Sequence, residues 1–138
     1  MRILLVNDDG FQAKGIIELG KALAKEHEVI IAAPAENQSG MAHAFTVHRE
    51  LELVRHGEME KKYGFAEVWS ITGTPTDCVK LYLEAITTKK PDLIFSGINI
   101  GSNLGTDVLY SGTVGGAIEG FLHDITSIAV SLDIESEI

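Results

Sequence analysis

Cysteine is nearly absent: Cys78 is the single one in 138 residues. No intramolecular disulfide can form, and a reducing compartment is expected. Basic residues are also scarce, with 11 Lys and Arg against 20 Asp and Glu and a formal charge of -9. That balance excludes a general nucleic-acid binder, which needs a basic face. It leaves room for a small anionic substrate, because a bound cation reverses the local sign. No apolar run approaches the roughly 18 residues of a membrane span. The opening Met1-Arg2-Ile3-Leu4-Leu5-Val6-Asn7-Asp8 is broken by carboxylates before a signal-peptide core could form. The expectation is a cytoplasmic protein with no membrane or nucleic-acid partner. Internal repeats and low-complexity tracts are missing as well.

What is present suits a folded domain. Apolar residues make up 45% of the chain and the mean hydropathy is +0.14, enough for a core and against disorder. The length predicts one domain over residues 1–138. Arg2 to Val6 reads as a buried strand, the residues after Gly15 as a helix, and Val29 to Ala33 as a second buried strand closed by Pro34. Such a βαβ opening implies parallel strands. Phe45, Val47, Leu51 and Leu53 alternate as in a half-buried strand. Arg55 to Lys62 reads as a solvated loop, and Ala66 to Ile71 completes a β-hairpin-like insert. Thr74, Pro75 and Asp77 carry the signals of a helix start, with Val79, Tyr82, Leu83 and Ile86 on one face. Asp92 to Ser96 reads as a buried strand, Gly97 to Gly112 as a long loop, Val114, Ala117, Ile118 and Phe121 as one helical face, and Ser127 to Leu132 as a final buried strand. The fold class expected is α/β, Rossmann-like and three-layered, with a mainly parallel sheet.

The chemistry concentrates in Asn7-Asp8-Asp9-Gly10. Two adjacent carboxylates at the end of a buried strand repel each other and lose solvation. A divalent cation such as Mg²⁺ relieves both costs, since it takes oxygen ligands. A turn with a helix N-cap would account for one of the two carboxylates and explains the pair poorly. In open parallel sheets the crevice lies beyond the carboxyl ends of the strands. Four loops leave such ends: Asn7 to Asp9, Glu36 to Ser39, the stretch with Asn99, Ser102 and Asn103, and the stretch with Asp133. Taken alone, Ser39 is an ordinary turn residue, and Asn99 is either a strand end or a neutral ligand. Ser111-Gly112-Thr113 opens a helix; free N–H groups and the dipole there suit phosphate, while an N-cap followed by glycines for close packing is an equal alternative. His27, His43, His48, His56 and His123 show no zinc spacing and read as surface or structural, His43 being the weak exception. Cys78 reads as a buried structural cysteine.

These segments resemble the SurE family of survival-protein nucleotidases. The resemblance is carried by Asn7-Asp8-Asp9-Gly10, Ala33-Pro34 through Ser39-Gly40, Gly73 through Val79, Ser96-Gly97-Ile98-Asn99, Gly101 through Gly105, and Asp107-Val108 through Val114, in that order along the chain. It implies a metal-dependent phosphomonoesterase acting on nucleoside 5'-monophosphates, and on 3'-monophosphates as well. It implies one divalent ion per subunit, Mg²⁺ or Mn²⁺, held by Asp8, Asp9, Ser39 and Asn99. Asp8 and Asp9 would be catalytic, and Asn103, Ser111, Gly112 and Thr113 would line the phosphate pocket. The implied mechanism is attack on phosphorus by a metal-activated water. The family is longer than this sequence and forms homodimers or homotetramers, so the chain is expected to lack a C-terminal part. The alternative is a non-catalytic module that binds metal or nucleotide without a complete pocket. Other phosphate chemistries fit less well. Haloacid-dehalogenase-type phosphatases place carboxylates two apart after the first strand, where this chain has Asp8 and Gly10. Receiver domains need a later acceptor aspartate, and His43 to Val54 has none. A nicotinamide dehydrogenase wants Gly-x-Gly-x-x-Gly where Asp8 and Asp9 stand.

Overall fold

The computed structural model describes residues 1–38, 44, 49–101, 105 and 111–133. Among the described residues six strands form one sheet in the order β3-β4-β2-β1-β5-β6: β1 (Arg2–Val6), β2 (Glu28–Pro34), β3 (Leu53–Arg55), β4 (Glu67–Ile71), β5 (Leu93–Ile100) and β6 (Thr126–Leu132). All neighbours run parallel except β3, which is antiparallel to β4. The helices are α1 (Lys14–Leu23), α2 (Gly57–Tyr63), α3 (Pro75–Leu81), which runs on into a π-helical turn (Tyr82–Ile86), and α4 (Gly112–Leu122).

The strand alternation accounts for the three layers. Successive side chains of a strand point to opposite faces. Ile3 and Leu5 of β1 join Ile16, Val29, Ile31, Met59, Phe65 and Val68 in one core. Leu4 and Val6 join Ile30, Ala32, Ile71, Val79, Tyr82 and Ile94 in the other. Both faces of the central strands are covered, as expected of parallel sheets, whose strands read as unbroken apolar runs.

Local signals held where they were strong. Thr74 caps α3: its hydroxyl accepts from Asp77 N at 3.1 Å, Asp77 Oδ2 accepts from Thr74 N at 2.8 Å, and Pro75 opens the helix. Cys78 is fully buried, and burial drives its thiol well above the ordinary value, so it is an inert core residue. His56 is structural, stacked on Phe11 at 4.3 Å between ring centroids and bonded to Ser70 Oγ at 2.8 Å.

Four expectations need correction. The stretch Arg55 to Lys62 is not a loop: Leu53–Arg55 is strand and Gly57–Tyr63 is helix, closed by left-handed Gly64 and anchored by buried Met59. β5 runs past Ser96 to Ile100, so Asn99 lies on a strand and not in a long loop. β6 takes the edge position that a last strand could hold, but it is largely exposed where burial was expected, with Ile128 and Leu132 open among the described residues. The face of α4 is inverted. Gly112, Thr113, Gly115, Gly116, Glu119 and Gly120 are buried, whereas Ile118 is exposed and Phe121 is 72% exposed. The cause is close approach. A Cβ on Gly116 would lie 3.0 Å from both Ser96 Oγ and Val6 Cγ1, and one on Gly120 would lie 2.3 Å from Ser127 Oγ. Phe45 and Val47 lie outside the described residues.

Candidate active site at the carboxyl end of the sheet

β1 has β2 on one side and β5 on the other. The chain leaves β1 toward β2, then returns across it to β5, which makes the end of β1 the topological switch point where crevices form in such sheets. Asp8 and Asp9 leave β1 there.

The turn that presents them is braced by Asn7. Its Nδ2 donates to Gly10 O at 2.7 Å and its Oδ1 accepts from Gly10 N at 3.1 Å, around a Gly10 φ of 114°. A positive φ of this kind favours glycine. Asn7 opens the first of the four loops expected at the crevice. Both ends of its amide are spent on the turn instead.

Asp8 is 4% exposed, and its Oδ1 makes no hydrogen bond. Burial raises its carboxyl above the ordinary value, the Asp9 charge adds to that, and the nearby Thr113 hydroxyl and its own backbone N–H pull it back. Thr113 Oγ1 is itself buried and outside hydrogen-bond geometry, so it tempers the carboxylate without satisfying it. Burial also raises Asp9, and the Ile100 backbone amide lowers it. Asp9 therefore sits beside the end of β5, with Asn37 Nδ2 at 3.5 Å from its Oδ1 on the other side.

Asn99 precedes Ile100, whose amide meets Asp9, and follows an irregularity in β5. Its pairing with β6 shifts register between Ser96 and Asn99, as in a bulge that re-aims a strand. Gly97 makes it possible: its φ is 136°, and a Cβ there would lie 2.2 Å from Val130 O. Asn99 Nδ2 donates to Gly101 O at 3.0 Å, which leaves its Oδ1 as the open acceptor.

The start of α4 closes the site. Ser111 is the N-cap, its Oγ accepting from Val114 N at 3.2 Å. Its hydroxyl is committed to the helix, so the expected capping alternative is realised at this residue. A cap on the third amide leaves those of Gly112 and Thr113 as the helix's orphan donors. A Cβ on Gly112 would lie 3.0 Å from Asp8 Cβ and 3.4 Å from Asp8 Oδ2, so the helix start packs directly on the carboxylate. Ser39 and Asn103 lie outside the described residues.

The donor set suits a hard cation. Asp8 Oδ1 is a buried carboxylate oxygen next to a second carboxylate, and neither group has a cationic partner among the described residues. Among the described residues no group of three or more His, Cys, Asp or Glu forms a metal-holding cluster. A cation here would rest on the two carboxylates with neutral oxygens around it, the ligand type that Mg²⁺ and Mn²⁺ accept.

Fold and site together define an α/β protein of the Rossmann-like type, with a carboxylate pair at its switch point facing a helix N-terminus. The family described as Survival protein SurE matches residues 3–137. The 5'-nucleotidase SurE of Pelotomaculum thermopropionicum is 52% identical over 133 residues, 96% of this chain and 50% of that protein. That of Natranaerobius thermophilus is 49% identical over 134 residues, covering 96% and 51%. The crystal structure of the SurE protein from Aquifex aeolicus matches with a TM-score of 0.84 and 42% identity, over 99% of this chain and 52% of that one. The chain belongs to the SurE family, and it spans about half the length of the curated relatives it matches. Among the described residues no helix is long and apolar enough to cross a membrane.

Proposed function

We propose that this chain carries the phosphomonoesterase centre of a 5'-nucleotidase, cleaving nucleoside 5'-monophosphates, with 3'-monophosphates as a second substrate. The observation that carries the proposal is the contact of Asp8, with its unpartnered Oδ1, against the first residue of α4. Carboxylates that need a cation and amides that suit an anion meet at one point. The names of the relatives supply the substrate class.

Asp8 and Asp9 would hold one divalent ion, Mg²⁺ or Mn²⁺, with Ser39 and the Asn99 oxygen completing its ligands. When bound, such an ion offsets phosphate charge and makes a water more acidic. The chain's own residues do the rest. The Gly112 and Thr113 amides receive the equatorial phosphate oxygens, where charge spreads in the transition state. Thr113 Oγ1, buried and unpartnered, is a further donor to them, with Ser111 fixing the helix start and Asn103 lining the pocket. Water adds to phosphorus, the phosphorus–oxygen bond to the nucleoside breaks, and the nucleoside oxygen leaves with a proton. Asp8 and Asp9 also orient the attacking water.

The test is phosphate release from adenosine and guanosine monophosphate with Mn²⁺, beside Asp8→Asn and a chelator control. Release that both treatments abolish is the expected result. Nucleotide binding without release would make the chain a binding module. Release unaffected by chelator and by Asp8→Asn would remove the cation from the mechanism. The whole protein is expected to be cytoplasmic and to work as a homodimer or homotetramer, which light scattering would check.

A further inference from the structure

A cavity of about 220 Å³ is lined by Ala35, Glu36, Gln38, Arg49, Thr72 and Gly73. It lies beyond the ends of β2 and β4, whereas α4 lies over β5 and β6. It is contiguous with the candidate site: Gln38 N donates to Asp8 O at 2.6 Å. We propose that this cavity receives the base of the substrate and selects guanine over adenine. The proposal rests on the nucleotidase reading for the position of the phosphate.

Size and chemistry both argue for a heterocycle. The volume is below the roughly 300–1,000 Å³ of pockets for drug-sized ligands, which suits a single ring system. Arg49 Nη2 donates to Thr72 O at 2.8 Å. Thr72 is itself held to Glu52 through its N–H, at 3.1 Å, and its hydroxyl, at 2.8 Å. The guanidinium is thus held through one N–H, and it makes no ion pair among the described residues. Arginine has five N–H donors, so four are without a partner among the described residues. Glu36 makes no hydrogen bond or ion pair among the described residues, and the Gln38 amide carries both a donor and an acceptor.

Guanine matches that set. Its O6 and N7 accept two parallel bonds from an arginine fork, and its N1–H and N2–H donate to a carboxylate. Adenine has no O6 and presents a lone pair at N1, which would face the Glu36 carboxylate. A phosphate at Asp8 and α4 would leave the nucleoside to cross the Gln38 loop toward this cavity.

Calorimetric titration of the chain with Mn²⁺ present, using guanosine monophosphate, adenosine monophosphate, ribose 5-phosphate and guanosine, tests the inference. Glu36→Gln and Arg49→Ala should each weaken guanosine monophosphate and guanosine by about 10-fold, the scale of one bidentate base contact, while ribose 5-phosphate is unchanged. Guanosine binding that depends on Glu36 and Arg49 supports the cavity's role even where ribose 5-phosphate fails to bind; that failure would count against the phosphate site alone. Equal weakening of ribose 5-phosphate by Arg49→Ala would assign the guanidinium to phosphate and overturn the proposal. So would unchanged guanosine monophosphate binding in both variants.

Discussion

Strand β1 has a cation at one end and two anions at the other, and the molecule treats the two ends differently. At the amino end Arg2 is well partnered. Its Nη1 lies 2.6 Å from Glu28 Oε1, its Nη2 donates to Tyr82 Oη at 2.8 Å, and Tyr82 in turn donates to Glu67. Burial and the Glu67 carboxylate push the Tyr82 phenol up to about 12, so it remains a donor at all ordinary pH values. At the carboxyl end Asp8 Oδ1, Ser96 Oγ and Thr113 Oγ1 are buried without partners. A buried polar group left unmatched costs about 1–3 kcal/mol. Trp69 Nε1 in the middle of β4 and Thr76 Oγ1 on α3 are also buried without partners among the described residues, but only the cluster around Asp8 includes a carboxylate, which marks that end as the place for a ligand.

The largest expected effect breaks this contrast at its source. Asp8→Asn should reduce phosphate release by roughly 100- to 1,000-fold, the usual scale for removing charge stabilisation from a centre. The thermal midpoint should hold or rise, because the amide keeps the shape and removes repulsion from Asp9. A midpoint that falls with activity would show that Asp8 is a structural residue. Arg2→Ala should do the opposite. Its side chain is 11% exposed and Glu28 45% exposed, so the loss lies between that of a buried and a surface pair, about 2 kcal/mol by urea unfolding. The catalytic rate of the folded fraction should not change.

Thr113→Val sharpens the comparison within the site. The side chains are similar in shape, and the hydroxyl satisfies no structural bond. Phosphate affinity should fall by about 10-fold with Mn²⁺ affinity intact; equal losses in parallel titrations would contradict the assignment. The smallest effect concerns Glu60 on α2. The Arg55 guanidinium holds its carboxyl below the ordinary value, burial opposes this, and the Val68 N–H assists. A depressed folded value means that the contribution is present above the ordinary carboxylate range and is lost as pH falls through the folded value. Arg55 is 49% exposed, so screening keeps the gain under about 1 kcal/mol. The stability gap between wild type and Glu60→Gln should therefore shrink as pH drops from 6 to 3; a constant gap would deny the pair its role.

Features written in a few adjacent residues were legible before folding. The apolar run into Asp8, the Thr74 capping box and the βαβ opening depend on neighbours in sequence. Seven-residue α2 was missed because it is too short and polar for a periodic signal, although Gly64 after Lys61 and Lys62 is a helix-stop pattern that could have revealed it. The inward face of α4 was missed because apolar periodicity was taken to mark the buried side. The i, i+4 spacing of Gly112, Gly116 and Gly120 was the better signal, since only a helix pressed onto its sheet needs it. Of the candidate ligands, Asp8 and Asp9 were readable as an unusual pair, whereas Asn99 depended on a bulge that composition does not announce.

By itself the sequence determined the α/β class, the carboxylate pair at the end of the first strand and the helix that starts at Ser111, because each follows from local pattern and charge. Tertiary structure alone decided that Asn7 braces the turn, that Asp8 meets the first residue of α4, and that Arg49 and Glu36 share a cavity. Those facts depend on which strand lies next to β1 and on how closely a helix can approach it. Both are set by packing between residues far apart in the chain.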